Sequence, residues 1–287
     1  MVFIVDWKLI KEFVKQCVYE DIGSGDITTN SIVPAGASAK GIIHIKQSGV
    51  VAGLAVAEGV FHLLSPDISF TPKVQDGDNV EYGTVLAEVE GDAKAILTGE
   101  RAALNFLQRM SGIATQTAFF VEKVKEYPVR VVDTRKTTPG LRILEKYAVV
   151  AGGGYNHRFG LYDAVMIKDN HIKVAGGITQ AILAAKKTVS HMVKIEVEVE
   201  DLAGVTEALQ AKADVIMLDN MDIDTMKQAV AMIGHSALVE ASGGINKENI
   251  VDIAKTGVDI ISIGALTHSV KAVDISLDIG QIKVHYK

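Results

Sequence analysis

Six short apolar runs after Tyr127 each end in side chains able to bind or react. VRVVD, from Val129, runs into Thr134, Arg135 and Lys136, and YDAVMIK, from Tyr162, ends in Lys168, Asp169, Asn170 and His171. VKIEVEV, from Val193, ends near Glu198; DVIMLD, from Asp214, ends in Asp219 and Asn220. ALVEA, from Ala237, runs into Ser242, Gly243 and Gly244, and DIISIG, from Asp259, ends in Gly264 and Ala265. His157 and Arg158 lie between the first two runs. One such end means little. Six of them converging on one rim would assemble a single site.

The residue types suggest the chemistry. Arg135, Lys136, His157, Arg158 and Lys168 supply positive potential, and arginine suits bidentate recognition of carboxylate or phosphate. The glycine pair Gly243/Gly244 and the turn at Gly264 offer backbone N–H groups at helix N-termini, a cradle for phosphate. Glu198 and Asp219 add carboxylates. The set suits a phosphorylated sugar whose hydroxyls need acceptors, together with a second anionic substrate. Several residues have other readings. Lys194, Glu196 and Glu198 alternate on one strand face, so Lys194 and Glu196 can form a buried structural pair. Asp219, before Asn220, can cap a helix. Lys168 can serve as a Schiff-base lysine, as in barrel aldolases, although the neighbouring Asp169 and the crowd of cations favour an anion contact. His44, His62, His235 and His285 have no charged company in sequence and read as ordinary.

These residues need a frame. Between the later runs lie amphipathic segments such as DLAGVTEALQAK and DIDTMKQAVAMI. Strands alternating with helices imply parallel βα units. Six units suggest an incomplete TIM-like α/β barrel, whose chemistry collects at the C-terminal strand ends. No GxGxxG follows any strand, which weighs against a dinucleotide-binding fold. The first half reads as a smaller α+β domain. A helix covers the first twenty residues, with Leu9, Ile10, Phe13, Val14 and Cys17 on one face. β-prone pieces follow (GIIHIKQ, DISFTPKV, TVLAEVEG), with Val50 to Leu64 as an intervening helix. Thr98 to Glu126 reads as helical, broken or kinked at Ser111 and Gly112. The expected domains are residues 1–112 and 113–287, the last residues returning to the first domain. DGDNVEYGTVLAEVEG resembles the hammerhead turns of biotinyl and lipoyl carriers. It lacks their lysine, so only a structural likeness is read there.

Composition narrows the classes further. With 287 residues, 48% hydrophobic and 22% charged, the chain is long and apolar enough for one large or two ordinary globular domains. A formal charge of −6 argues against general affinity for nucleic acid. Cys17 is the only cysteine, so a cysteine-based zinc site or intrachain disulfide is excluded and a reducing compartment fits. No run is long enough to span a bilayer, and the N-terminus lacks the layout of a signal peptide. The expectation is a cytoplasmic protein without membrane partners.

In order and spacing, EDIGSGDITT, GERAALNFLQRMSGIAT, DTRKTTPGLR, GGGYNHRFGL, MIKDNH, IEVEVE, IMLDN, SGGI and SIGALTHS resemble the motifs of the quinolinate phosphoribosyltransferases, from about Glu20 to Ser269. The resemblance implies a type II phosphoribosyltransferase of NAD biosynthesis. It would convert quinolinate and phosphoribosyl pyrophosphate to nicotinate mononucleotide, pyrophosphate and carbon dioxide, using Mg²⁺ and no organic cofactor. It implies a homo-oligomer, a dimer or a hexamer of dimers, in which Arg101 is supplied across the subunit interface. Arg135, Lys136, His157 and Arg158 match the group around the quinolinate carboxylates, beside Thr134, and Lys168 matches a lysine contacting the substrates. Glu198 and Asp219 match carboxylates at the ribose and magnesium side. Ser242, Gly243, Gly244, Gly264 and Ala265 match phosphate-binding turns. Lys136, Lys168, Glu198 and Asp219 are the expected catalytic set. The alternatives are a related type II enzyme acting on another ring acid, a Schiff-base barrel lyase using Lys168, and a non-catalytic carrier or interaction module.

Overall fold

The structure, a computed structural model, describes residues 6–280. The elements run α1 (Trp7–Ile22), α2 (Ile27–Ile32), β1 (Ser38–Ile45), β2 (Gly49–Val50), α3 (Leu54–Leu64), β3 (Ser69–Pro72), β4 (Asn79–Val80), β5 (Val85–Asp92), α4 (Ala93–Lys123), β6 (Arg130–Val132) and α5 (Arg142–Ala151). They continue with β7 (Val165–Ile167), α6 (Asp169–Ala175), α7 (Ile178–Thr188), β8 (Ile195–Val199), α8 (Leu202–Gln210), β9 (Val215–Asp219) and α9 (Ile223–Ile233). The last are β10 (Leu238–Ser242), α10 (Ile250–Ala254), β11 (Ile260–Ser262), α11 (Ala265–His268) and β12 (Ile275–Ile279). Among the described residues no helix is long and apolar enough to cross a membrane. His285 lies outside them.

Two compact units emerge. The described part of the first comprises residues 6–118, 137–153 and 269–280. Its four-stranded antiparallel sheet has the order β12-β1-β5-β3, so the last strand pairs with the first. Ile43, Ile45, Leu86, Ala87 and Val89 are buried there. Helix α3 supplies Val56, Ala57, Val60 and Phe61, and the Phe61 ring stacks on Phe70 of β3 at 6.2 Å. Helix α1 is capped by Asp6, whose carboxylate accepts from the Lys8 backbone N–H. Its buried stripe is narrower than the sequence suggests. Ile10, Val14 and Val18 are buried, but Leu9 is 69% exposed. Successive i, i+4 residues set the centre of the stripe, and Leu9 lies about 100° off it. Gly59 lets the Trp7 ring lie flat on α3, since a Cβ there would sit 2.2 Å from the indole.

The break expected at Ser111 and Gly112 does not occur, because α4 runs through both. These small residues instead admit neighbouring chain. The Ser111 hydroxyl accepts from the Ala52 backbone N–H at 3.0 Å, and a Cβ on Gly112 would sit 2.3 Å from the Lys271 carbonyl oxygen. Gly112→Ala therefore loses stability despite alanine's better helix propensity. Pushing backbone from backbone costs about 1–3 kcal/mol, against a propensity gain of about 1 kcal/mol. Thermal unfolding should show a lower midpoint; an unchanged or raised midpoint would mean that the segment around Lys271 moves aside freely. Another buried polar group of this unit is fully served: Glu145 accepts from Arg109 Nη2 at 2.6 Å and from the Thr138 N–H at 3.0 Å. The second half of DTRKTTPGLR is thus anchored structurally.

The second unit comprises residues 119–136 and 154–268. All six expected strands form one parallel sheet, in the order β6-β11-β10-β9-β8-β7. Strands β6 and β7 are neighbours in the chain yet occupy opposite edges, which leaves the barrel incomplete. On β8, Ile195, Val197 and Val199 face one side and Glu196 and Glu198 the other. Register puts Met166, Glu196, Met217 and Glu240 on that second face, with Glu198, Asp219, Ser242 and Ser262 nearer the C-terminal ends. Side chains from the ends of all six strands line one cavity, so the sheet is rolled around it. The architecture is α/β: an incomplete TIM-like barrel and a smaller N-terminal α+β domain.

The structure departs from three local expectations. Lys194 does not pair with Glu196: it lies before β8, is exposed, and bonds Asp214 at 3.1 Å. The cap of α9 is Asp222, accepting from the Thr225 N–H, so Asp219 is left at the strand end. Gly243 and Gly244 do not begin a helix, since α10 starts only at Ile250.

Candidate active site

At the C-terminal rim of the second unit lies a cavity of about 610 Å³. Strand β6 delivers Thr134, Arg135 and Lys136; the following segment delivers His157 and Arg158; β7 delivers Lys168. Strands β8 and β9 deliver Glu198 and Asp219, and the turn after β10 delivers Ser242, Gly243 and Gly244. Parallel strands deliver residues this way because every C-terminal end points to the same side. Gly264 meets the Lys136 side chain, since a Cβ there would lie 2.9 Å from its Cδ, and Ala265 follows as the first residue of α11. Arg101 belongs to the first unit. There it lines a separate cavity of about 530 Å³ with Phe13, Cys17, Glu20 and Asp21.

The rim divides by charge. On one side Lys168 Nζ bonds Glu198 Oε2 at 3.0 Å, and Asn220 Nδ2 donates to Asp219 Oδ2 at 2.8 Å. Burial and then the Glu198 charge push the Asp219 carboxyl up, against the Asn220 hydrogen bond. Two partly buried carboxylates at the ends of adjacent strands concentrate negative charge beside Lys168. Lys168 is exposed and held by Glu198; the desolvated apolar pocket of a Schiff-base lysine is not present around it. Gly243 is required by close approach: its φ is +90°, and a Cβ would fall 2.2 Å from Asn220 Oδ1. On the other side burial, and then Arg135, lower the Arg158 guanidinium from its ordinary value. Arg158 Nη1 donates to the Ala164 carbonyl at 3.1 Å.

The floor was only partly foreseen. His157 Nε2 lies 3.1 Å from Glu196 Oε2 and 3.5 Å from Glu240 Oε2, both carboxylates being buried. Burial alone would lower the imidazole, and hydrogen bonds to Glu196 and Glu240 push it the other way, while the Arg158 N–H aimed at Nδ1 opposes a second ring proton. Burial raises Glu196 in turn, against the His157 hydrogen bond. Nδ1 accepts the Arg158 backbone N–H at 2.7 Å, and a second ring proton would meet that N–H head-on. The hydrogen bonds therefore place the ring's proton on Nε2, facing the carboxylates. The three ligand atoms lie within 4.8 Å of one another, close enough to chelate a metal; a proton shared by Nε2 and two carboxylates accounts for the same closeness. Glu240 was hidden inside the apolar run ALVEA. Its signal was alternation: it stands two residues before Ser242, hence on the same inward face.

Comparison with known proteins follows the same lines. Residues 26–111 match the family model for the quinolinate phosphoribosyl transferase N-terminal domain, and residues 113–278 the model for its C-terminal domain. The chain is 47% identical over 270 residues to a Bacillus subtilis protein named probable nicotinate-nucleotide pyrophosphorylase (carboxylating), spanning 94% of this chain and 93% of that one. A Methanocaldococcus jannaschii protein of the same name is 47% identical, spanning 93% and 96%. The solved nicotinate-nucleotide pyrophosphorylase of Francisella tularensis superposes with a TM-score of 0.93 at 39% identity, over 98% of this chain and 99% of that one. With both domain models matched in tandem and over nine-tenths of the chain aligned, this chain belongs to the quinolinate phosphoribosyltransferase family.

Proposed function

We propose that the chain is the NAD-biosynthetic enzyme that transfers a phosphoribosyl group from phosphoribosyl pyrophosphate to quinolinate, releasing pyrophosphate and carbon dioxide and giving nicotinate mononucleotide. The observation that carries this reading is one cavity holding a cation cluster, a carboxylate pair and glycine turns together. Quinolinate is a dianion and its partner a polyphosphate, and side by side they repel. Arg135, Lys136 and Arg158 form the group that receives the two ring carboxylates, with Thr134 and His157 beside them and Lys168 between the substrates. Ser242, Gly243, Gly244, Gly264 and Ala265 offer the turns for phosphate.

Pyrophosphate leaves C1 of the ribose, and positive charge develops on the sugar. Glu198 and Asp219, at the ends of adjacent strands, stabilise that charge and accept from the ribose hydroxyls. The pyridine nitrogen attacks C1 and becomes a pyridinium. The bond to the neighbouring carboxylate then breaks as carbon dioxide leaves. Its electron pair stays on the ring carbon beside the cationic nitrogen, and that carbon takes up a proton. No organic cofactor is needed. The all-oxygen pair Glu198 and Asp219, at the ends of adjacent strands on one cavity, fits Mg²⁺, which favours carboxylate, phosphate and water oxygens. Bound there, Mg²⁺ would neutralise the departing pyrophosphate. Omitting either quinolinate or phosphoribosyl pyrophosphate should abolish mononucleotide formation, and chelating Mg²⁺ should suppress it. Turnover of nicotinate in place of quinolinate would instead favour a sister enzyme.

Arg101 enters as a group supplied by the second subunit of a dimer, or of a hexamer of dimers. Mixing inactive Arg101→Ala with inactive Glu198→Gln should then regain about a quarter of wild-type activity. Half of the random two-fold dimers are hybrids, each with one intact site. No recovery despite demonstrated subunit exchange would refute a shared site. The single cysteine supports a cytoplasmic location.

A further inference from the structure

Both nitrogens of the His157 ring are committed to protein groups. Nε2 faces the carboxylates of Glu196 and Glu240 at 3.1 and 3.5 Å, and Nδ1 accepts the Arg158 N–H at 2.7 Å. The same turn is gripped through its main chain. Asp133, fully buried, accepts the His157 N–H at 2.9 Å and the Asn156 side-chain amide at 2.6 Å. The guanidinium at the end of this turn belongs to Arg158, tethered to the Ala164 carbonyl. We propose that Glu196 and Glu240 are positioning residues that hold the His157 ring as a strut and, through it, fix Arg158 where it meets the ring diacid. The proposal rests on the quinolinate reading above.

The cost of this arrangement argues for a functional role. Glu196 and Glu240 are 6% and 1% exposed, and the Oε1 atom of each is buried without a hydrogen-bond partner among the described residues. Two half-satisfied carboxylates in a barrel interior cost stability that apolar side chains of similar size would not. They also lie beneath the site of a dianion, which they repel. Their offsetting service is to orient a ring whose Nδ1 fixes the backbone of an arginine, as outer groups orient the ligands of a metal site. In this arrangement His157 neither donates to substrate nor moves a proton; it acts through Arg158.

The experiment uses the full-length enzyme with Glu196→Gln and Glu240→Gln made separately. Each should raise KM for quinolinate by about 10- to 100-fold, the range found for groups that orient a ligand, and leave KM for phosphoribosyl pyrophosphate within about twofold. A merely structural role would move both constants or neither. On an Arg158→Lys background each change should add little, because residues acting through one group are not additive. Unchanged KM for quinolinate in both variants, or full additivity with Arg158→Lys, overturns the proposal. Should the variants not fold, the wild-type enzyme decides. Ring ¹⁵N shifts of His157, assigned by their loss in His157→Gln, should show the Nε2–H tautomer with Nδ1 accepting, unchanged on saturation with quinolinate. A switch of tautomer or protonation on binding overturns it. Wild-type enzyme inactive toward quinolinate and phosphoribosyl pyrophosphate would remove the functional reading as well; active wild type with indifferent variants would remove this proposal alone.

Discussion

Arg158→Ala lowers kcat/KM for quinolinate by about 30- to 4,000-fold, corresponding to about 2–5 kcal/mol for truncating one member of a buried charge pair. The size follows from the surroundings. Arg158 is half-buried, and its Nε is buried without a hydrogen-bond partner among the described residues. Removing the guanidinium takes a fixed donor from the cavity and leaves the Glu196 and Glu240 carboxylates closer in potential to an incoming dianion. Arg135→Ala should act in the same direction. In both variants the loss falls mainly on quinolinate, seen as weaker binding by calorimetry and as reduced turnover, while KM for phosphoribosyl pyrophosphate moves less. Wild-type kinetics in both variants would refute the assignment of the cation cluster.

The second large effect is on kcat. Glu198→Gln and Asp219→Asn keep shape and remove charge where positive charge builds on the ribose. Losing one such electrostatic contact typically costs about 10²–10³ in kcat, about 2.7–4 kcal/mol. Glu198→Gln also releases Lys168 from its 3.0 Å ion pair, so that variant should be the more severe. Quinolinate binding should change little, since the cations that hold it lie on the other side of the cavity. Steady-state kinetics with both substrates varied separates the two effects. A kcat within twofold of wild type in both variants would mean that the sugar's charge is stabilised elsewhere.

The strands of the barrel and the residues at their ends could be read from the sequence, because short β-branched runs separated by amphipathic segments leave few other folds. Arg135, Lys168, Glu198 and Asp219 stand at strand ends for that reason, although their roles came from the family resemblance. What the sequence concealed were contacts between residues far apart in the chain. Nothing near Gly112 indicates that the Lys271 carbonyl approaches it. Lys194 pairs with Asp214 because the strand begins one residue later than its charges suggest. Glu240 sat inside an apolar run, and only its parity with Ser242 marked it as inward. Asp222 and Asp219 both precede helix α9, and the structure shows which of them is needed for the cap.

The most direct test follows the carbon that must leave. Quinolinate labelled in the carboxylate beside the ring nitrogen, incubated with the enzyme, Mg²⁺ and phosphoribosyl pyrophosphate, should release one labelled carbon dioxide for each nicotinate mononucleotide formed, and none without the sugar donor. A mononucleotide that keeps the label, or label released without the donor, would contradict the account.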